Sequence, residues 1–406
     1  MTQLEKYVDL IISGGVNLKR GQYLMINAPL DTAPFARLLQ KRAYEAGAAD
    51  VQIFWSDELS ARNRYLFAED AVLTDIPQWF VDSRMYYANK GGCAITIAAQ
   101  DPDVFADVPA AKVAAAQRAG GIALKEYREL MMSSQLRWNV VSVPTAAWAN
   151  KLFPGKSDEQ AVEALWQAIF DTCRVSEPDP AVAWKAHIET LAARASKLNA
   201  LRLCAVRMQS GNGTDLTVGL AECNKWAGGG DVDPQGVAFS PNIPTEEVFG
   251  APHKDKVNGV VKSTMPLCYN GVMIEDFSFT FRDGRVVEYT ARLGFDTLSG
   301  ILDSDEGAKR LGEFAIVPFD SPVAKTGITF LNTLFDENAS CHLALGKGYP
   351  DNIDIKDANE QTLAAHGLND SVMHVDFMVG ATDTRLTGIT ADGVEVVFFD
   401  KGRWMI

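Results

Sequence analysis

Much of what the sequence excludes follows from what it lacks. None of its six cysteines stands in a CxxC pair. That speaks against thiolate zinc sites and a disulfide framework, and points to reduced, mostly buried thiols in a cytosolic protein. No run approaches the ~20 apolar residues that a membrane-spanning helix needs. The opening MTQLEKYVDLIISGG has no basic segment ahead of an apolar run, so no signal peptide is expected. GxGxxG is missing after the first strand-like run and GxxxxGKS/T is missing throughout, which leaves a nucleotide-binding reading without its motif. HExxH is also absent, so the mononuclear zinc-protease helix is not in play. Positive charge is scarce as well: 38 Lys and Arg face 52 Asp and Glu, a net of −14. A nucleic-acid binder needs the opposite field.

What is present is an ordinary globular composition, 47% hydrophobic and 22% charged, which excludes a disordered chain. At 406 residues the chain suggests two domains. Its acid is unevenly spread. Residues 1–197 hold 23 acidic and 21 basic residues, whereas residues 198–406 hold 29 and 17. A solubilising surface explains this blandly. A carboxylate-rich cation site in the second half explains it more sharply.

The two halves also differ in pattern. In residues 1–197, strand-like runs at 22–27, 51–55, 94–98 and 138–143 alternate with helical spacing, as at 33–47. That alternation predicts an α/β domain with a mostly parallel sheet. Helices are expected at 158–173 and 181–197, separated by the Glu177-Pro-Asp-Pro180 break. Residues 198–406 read as an α+β, mostly antiparallel domain, with strands at 202–208, 215–220, 260–264, 278–282, 286–290 and 394–400. Asp283-Gly284 and Asp392-Gly393 mark hairpin turns.

Four segments of the second half offer metal ligands. In residues 371–380, SVMHVDFMVG, strand alternation turns His374 and Asp376 to one face and Val375 and Phe377 to the other. Two adjacent polar groups on a largely buried strand need partners, and a divalent cation satisfies both, although a plain His–Asp hydrogen bond is the commoner reading of HxD alone. In residues 335–350, FDENASCHLALGKGYP, Glu337 and His342 precede a glycine turn that positions Tyr349. In residues 242–252, NIPTEEVFGAP, alternation sends Glu246 and Glu247 to opposite faces, so at most one faces a shared site. In residues 311–317, LGEFAIV, the carboxylate of Glu313 interrupts an apolar run and calls for a partner. Together these residues form a carboxylate-heavy set with two histidines and no thiolate. Such a set suits two adjacent Zn²⁺, Co²⁺ or Mn²⁺ ions bridged by a shared carboxylate, an arrangement that activates water for hydrolysis.

NIPTEEVF, LGEFAIV, NASCHLALGKGYP and HVDFMVG, in that order, resemble the thermophilic-type metalloaminopeptidases, the family of aminopeptidase T, aminopeptidase S and PepS. The resemblance runs over most of the chain. It implies a cytoplasmic, usually dimeric exopeptidase with two divalent metals per subunit, acting on peptides with a free N-terminus. By motif it implies metal-ligand roles for Glu247 (Glu246 as fallback), Glu337, His342, His374 and Asp376, with Glu313 as the bridging carboxylate. Tyr349 matches the active-site tyrosine that donates to the oxyanion, and Glu246 is the candidate proton shuttle. One departure is visible: Gly250 stands where Thr is expected. Two other readings remain open at this point. One is another dinuclear hydrolase, an amidase or phosphoesterase. The other is a non-catalytic protein whose acids only solubilise it or mediate assembly.

Overall fold

The computed structural model of the chain describes every residue except 357. It is mixed α/β, with one parallel sheet and several antiparallel ones. The chain divides into two compact units. The first is Met1–Glu189 with Gly230–Thr245, and the second is Thr190–Gly229 with Glu246–Ile406. The helix Pro180–Leu201 runs straight through residues 197 and 198, and residues 230–245 return to the first unit. A single cut near residue 198 does not contain that return.

In the first unit, β1 (Tyr23–Pro29), β2 (Asp50–Ser56), β3 (Cys93–Ile97) and β4 (Arg137–Val141) form a parallel sheet in the order β2-β1-β3-β4. The centres of β1 and β3, the inner strands, are apolar and buried, as strands covered on both faces must be, whereas the edge strand β2 exposes Gln52 and the edge strand β4 centres on the buried Asn139. Helix starts follow the local sequence. Thr2 with Glu5 and Ser157 with Gln160 close capping boxes on Gln3–Leu10 and Asp158–Thr172. The returning segment is tied down by polar bonds. Arg137 and Asp233 form a buried ion pair at 2.7 Å, and Asn139 donates to the Ser240 carbonyl at 2.7 Å.

In the second unit, eight strands make one sheet: β5 (Leu203–Gln209), β6 (Asp215–Leu220), β8 (Pro252–Lys262), β9 (Ser278–Arg282), β10 (Arg285–Thr290), β14 (Arg385–Thr390), β15 (Glu395–Asp400) and β16 (Arg403–Trp404). Their order is β10-β9-β8-β6-β5-β14-β15-β16. The expected Asp283-Gly284 turn joins β9 to β10, both residues at positive φ. A smaller antiparallel sheet holds β7 (Val248–Gly250), β11 (Leu311–Ile316), β12 (His342–Gly346) and β13 (His374–Met378) in the order β13-β12-β11-β7.

The core of this unit lies between the two sheets. Val206, Met208, Leu216 and Val218 of the large sheet share one cluster with Phe314, Ile316, Leu343, Leu345, Val375 and Phe377 of the small one. Phe279 meets Phe377 edge to face at 5.1 Å. One face of the small sheet is thereby spent on the core, and the opposite face is left to polar side chains.

Candidate metal centre

That opposite face follows from strand register. Glu313 pairs with Ala344 and Ala344 with Asp376, so all three point the same way from neighbouring strands. His342 is two residues before Ala344, and His374 is two before Asp376. Phe249 pairs with Ala315, which lies two beyond Glu313, and that places Phe249 and Glu247 on this face too. The alternation expected for residues 371–380 is the one observed: Val375 and Phe377 are core.

Glu313 reaches this face only through an irregularity. Leu311 pairs with Leu345 and packs in the core, yet Glu313 two residues later faces away from it, because the register slips between them. A β-bulge at Gly312 absorbs the extra residue. Glycine is required there, since a Cβ would collide with the carbonyl oxygens of Gly346 and Lys347.

The donors fall into two sets that share Glu313. Its Oε1 lies 3.8 Å from His342 Nε2, which in turn lies 3.0 Å from Glu247 Oε2. Its Oε2 lies 3.3 Å from His374 Nε2, which lies 3.2 Å from Asp376 Oδ1. Within each set the donor atoms stand within 4.8 Å of one another. The histidines are oriented from behind. His342 Nδ1 meets the Ser340 carbonyl at 3.2 Å and His374 Nδ1 meets the Lys347 carbonyl at 2.7 Å. A ring nitrogen facing a carbonyl must carry a proton, which leaves Nε2 as the nitrogen turned towards the carboxylates and the one available to a metal.

Electrostatics show how crowded these acids are. Burial pushes the Glu313 carboxyl up; contact with His374 opposes this, and the Glu247 and Asp376 charges add to it. Burial raises Glu337 well above its ordinary value, with Asp376, Glu247 and Glu313 adding to the rise and His342 opposing it. For Asp376, burial acts upward but the adjacent His374 wins and holds it low. Burial acts downward on His342, and Glu247, Asp376 and Glu313 outweigh it and hold the ring up at about 10. His374 is likewise held well above its usual range despite its burial, chiefly by Asp376 and Glu313. Uncompensated buried carboxylates at this density are costly. The residues therefore fit divalent cations: two donor sets, one carboxylate common to both, and imidazole nitrogens already oriented.

The other expected residues sit as follows. Glu337 belongs to neither set, although its charge is felt by the same acids. Glu246 is buried, belongs to neither set, and gives its backbone N–H to Asn338 Oδ1 at 2.6 Å. The Tyr349 ring packs on His374 at 5.1 Å and on Phe249 at 5.7 Å. Burial, and then the charges of Glu313, Asp376, Glu247 and Glu337, keep its hydroxyl protonated far above the usual phenol range. The remaining histidines are engaged elsewhere: His187 with the Thr245 carbonyl, His253 with the Asp255 N–H, His366 with the Thr362 carbonyl. Sequence reading passed over Phe249 and Asn338. Alternation from Glu247 points to the first. The second ends a run of three polar residues, Asp336 to Asn338, all of them buried.

Fold and site together define a candidate metal centre, and comparison with known proteins gives the class, a metalloprotease. The chain belongs to the family described as thermophilic metalloprotease (M29), which it matches over residues 1–404. It is 43% identical over 403 residues to aminopeptidase AmpS of Bacillus subtilis (strain 168), covering 99% of this chain and 98% of that one. It is 40% identical over 403 residues to aminopeptidase T of Thermus aquaticus, covering 99% and 98%. Among solved structures it is similar to wild-type AmpT from Thermus thermophilus, with a TM-score of 0.91 and 37% identity, covering 100% of this chain and 99% of that one.

Proposed function

We propose that this metalloprotease is a dinuclear aminopeptidase, releasing N-terminal residues from peptides with a free α-amino group. The observation that carries the reading is the Glu313 carboxylate, whose two oxygens face two separate donor sets. Full-length similarity to aminopeptidases supports the reaction class.

One set is Glu247, Glu313 and His342; the other is Glu313, His374 and Asp376; Glu337 completes the ligands. When bound, two ions of Zn²⁺, Co²⁺ or Mn²⁺ supply Lewis-acid polarisation and water acidification. The side chains do the rest. Tyr349, fully protonated, donates a hydrogen bond to the oxyanion that develops on the scissile carbonyl. Glu246 moves the proton from the attacking water to the departing amine. The surplus carboxylate field draws in the substrate's α-ammonium group.

All of these residues lie within residues 198–406 and belong to the second unit, which we take as the catalytic part. A homodimer fits the helices Glu58–Phe67 and Gln78–Asn89, which bury none of their residues and expose Leu59, Phe67, Trp79 and Tyr86. No helix among the described residues is long and apolar enough to cross a membrane, which suits the proposed cytoplasmic location.

The test is chelation of the purified protein, followed by Zn²⁺, Co²⁺ or Mn²⁺ and Leu- or Ala-peptides. Release of the N-terminal residue should vanish with chelator and return with metal, and N-acetylated peptides should resist. Failure to release any N-terminal residue with all three ions would sink the proposal. Faster turnover of blocked amides or phosphoesters would point to the other dinuclear hydrolases.

A further inference from the structure

Three of the site's strands need no help in holding their donors. Glu313, His342, His374 and Asp376 sit on β11, β12 and β13, whose ladders fix the backbone. The other two carboxylates lack that support. Glu247 lies just before β7, and Glu337 lies in the short turn Glu337–Ala339. One fully buried side chain connects both, that of Asn338.

Its Oδ1 accepts the Glu246 N–H at 2.6 Å. Its Nδ2 donates to the Leu334 carbonyl at 2.8 Å and reaches Glu337 Oε1 at 3.5 Å. Its own carbonyl accepts the Ser321 hydroxyl at 2.9 Å. The turn beneath it is fastened by Asp336, which accepts the N–H groups of Phe330 at 2.7 Å and Asn332 at 3.1 Å. A carboxamide is the side chain that serves here, because it both accepts and donates. Aspartate would keep the acceptor, lose the donor and add a fifth acid beside Glu337. An apolar residue would leave the Glu246 N–H without this buried partner.

We propose that Asn338 is a positioning residue for the metal pair: it sets the Glu246–Glu247 segment against Glu337 and so fixes the affinity of the ion held by Glu247, Glu313 and His342. This inference rests on the dinuclear reading above. The ion held by Glu313, His374 and Asp376 does not depend on Asn338, since its donors stand on laddered strands.

The experiment is a calorimetric Zn²⁺ titration of chelator-stripped, full-length wild type beside Asn338→Ala and Asn338→Asp, with folding checked by near-UV circular dichroism. Wild type should take two equivalents. In Asn338→Ala one equivalent should weaken by about 10–100-fold, the range for lost outer-shell support, while the other keeps its affinity. Asn338→Asp should weaken the same equivalent, and it decides the matter if the alanine variant does not fold. Loss of thermal stability with both affinities intact, or equal weakening of both, overturns the proposal and leaves the dinuclear reading standing. A wild type that does not take two equivalents overturns both.

Discussion

The Nε2 of His374 lies 3.3 Å from Oε2 of Glu313, although a whole strand, β12, separates the two backbones. The gap is passable because β12 places only Ala344 between Glu313 and Asp376. With a methyl group there, the flanking long side chains converge above it.

That convergence gives Glu313 a different mutational signature from its neighbours. Glu313→Gln removes an oxygen charge from both donor sets and should cost both metal equivalents, with activity falling by ~100-fold or more. His374→Ala touches one set and should cost one equivalent. Elemental analysis of the two purified variants checks this. Equal metal content in both would remove the bridging role.

Tyr349 should behave as a donor and not as a ligand. Its hydroxyl is held protonated by burial and by four surrounding acids. Tyr349→Phe should retain wild-type metal content and lose ~10²–10³-fold in kcat, the usual cost of one oxyanion donor. An unchanged kcat would show that the hydroxyl does not touch the reacting carbonyl.

Gly250 answers to its neighbour across the core. A Cβ there would stand 2.9 Å from Cε3 of Trp226 and 3.0 Å from Oδ1 of Asn224. Trp226 itself packs edge to face on Phe314 at 6.2 Å and cannot retreat easily. Gly250→Thr should therefore destabilise by about 1–3 kcal/mol, read as a lower Tm, with metal content unchanged. A variant as stable as wild type would mean that the Trp226 ring has room to move.

Metal removal should lower stability as well as activity. The folded chain packs Glu247, Glu313, Glu337 and Asp376 around two histidines, an acid excess that divalent cations would offset. An ion held at 100 times its Kd adds about 2.7 kcal/mol to folding. Chelated protein should melt lower, and Tm should climb with added Zn²⁺ or Co²⁺. A Tm indifferent to both ions would contradict the fit of these residues to metal.

Much of this site was legible in the sequence, for a physical reason. HxD in SVMHVDFMVG obeys the period of two, so its polar and core faces separate on paper as they do in space. The same period lets only one of Glu246 and Glu247 join the strand face that carries the donors, and pairing of Phe249 with Ala315 assigns Glu247 to it. Glu313 was found only as an oddity within an apolar run. Its direction depends on a bulge, and plain alternation from Leu311 would have turned it to the hydrophobic-core face of the sheet. The return of residues 230–245 to the first unit was invisible, because it rests on long-range bonds such as Arg137 to Asp233. Asn338 was missed because its value lies in what it links, not in what it could ligate.

The small sheet also governs how this protein can change over evolution. Four of its donors, Glu313, His342, His374 and Asp376, hang on hydrogen-bonded strands, so connections other than those that carry Glu247, Glu337 and Tyr349 are free to lengthen, shorten or be exchanged without disturbing the chemistry. Deleting a single residue inside β13 is another matter. Removing Val375 would put His374 and Asp376 on opposite faces, sending one of the two into the apolar core. The protein therefore tolerates drift in length almost everywhere except along a few short stretches, where parity must be kept.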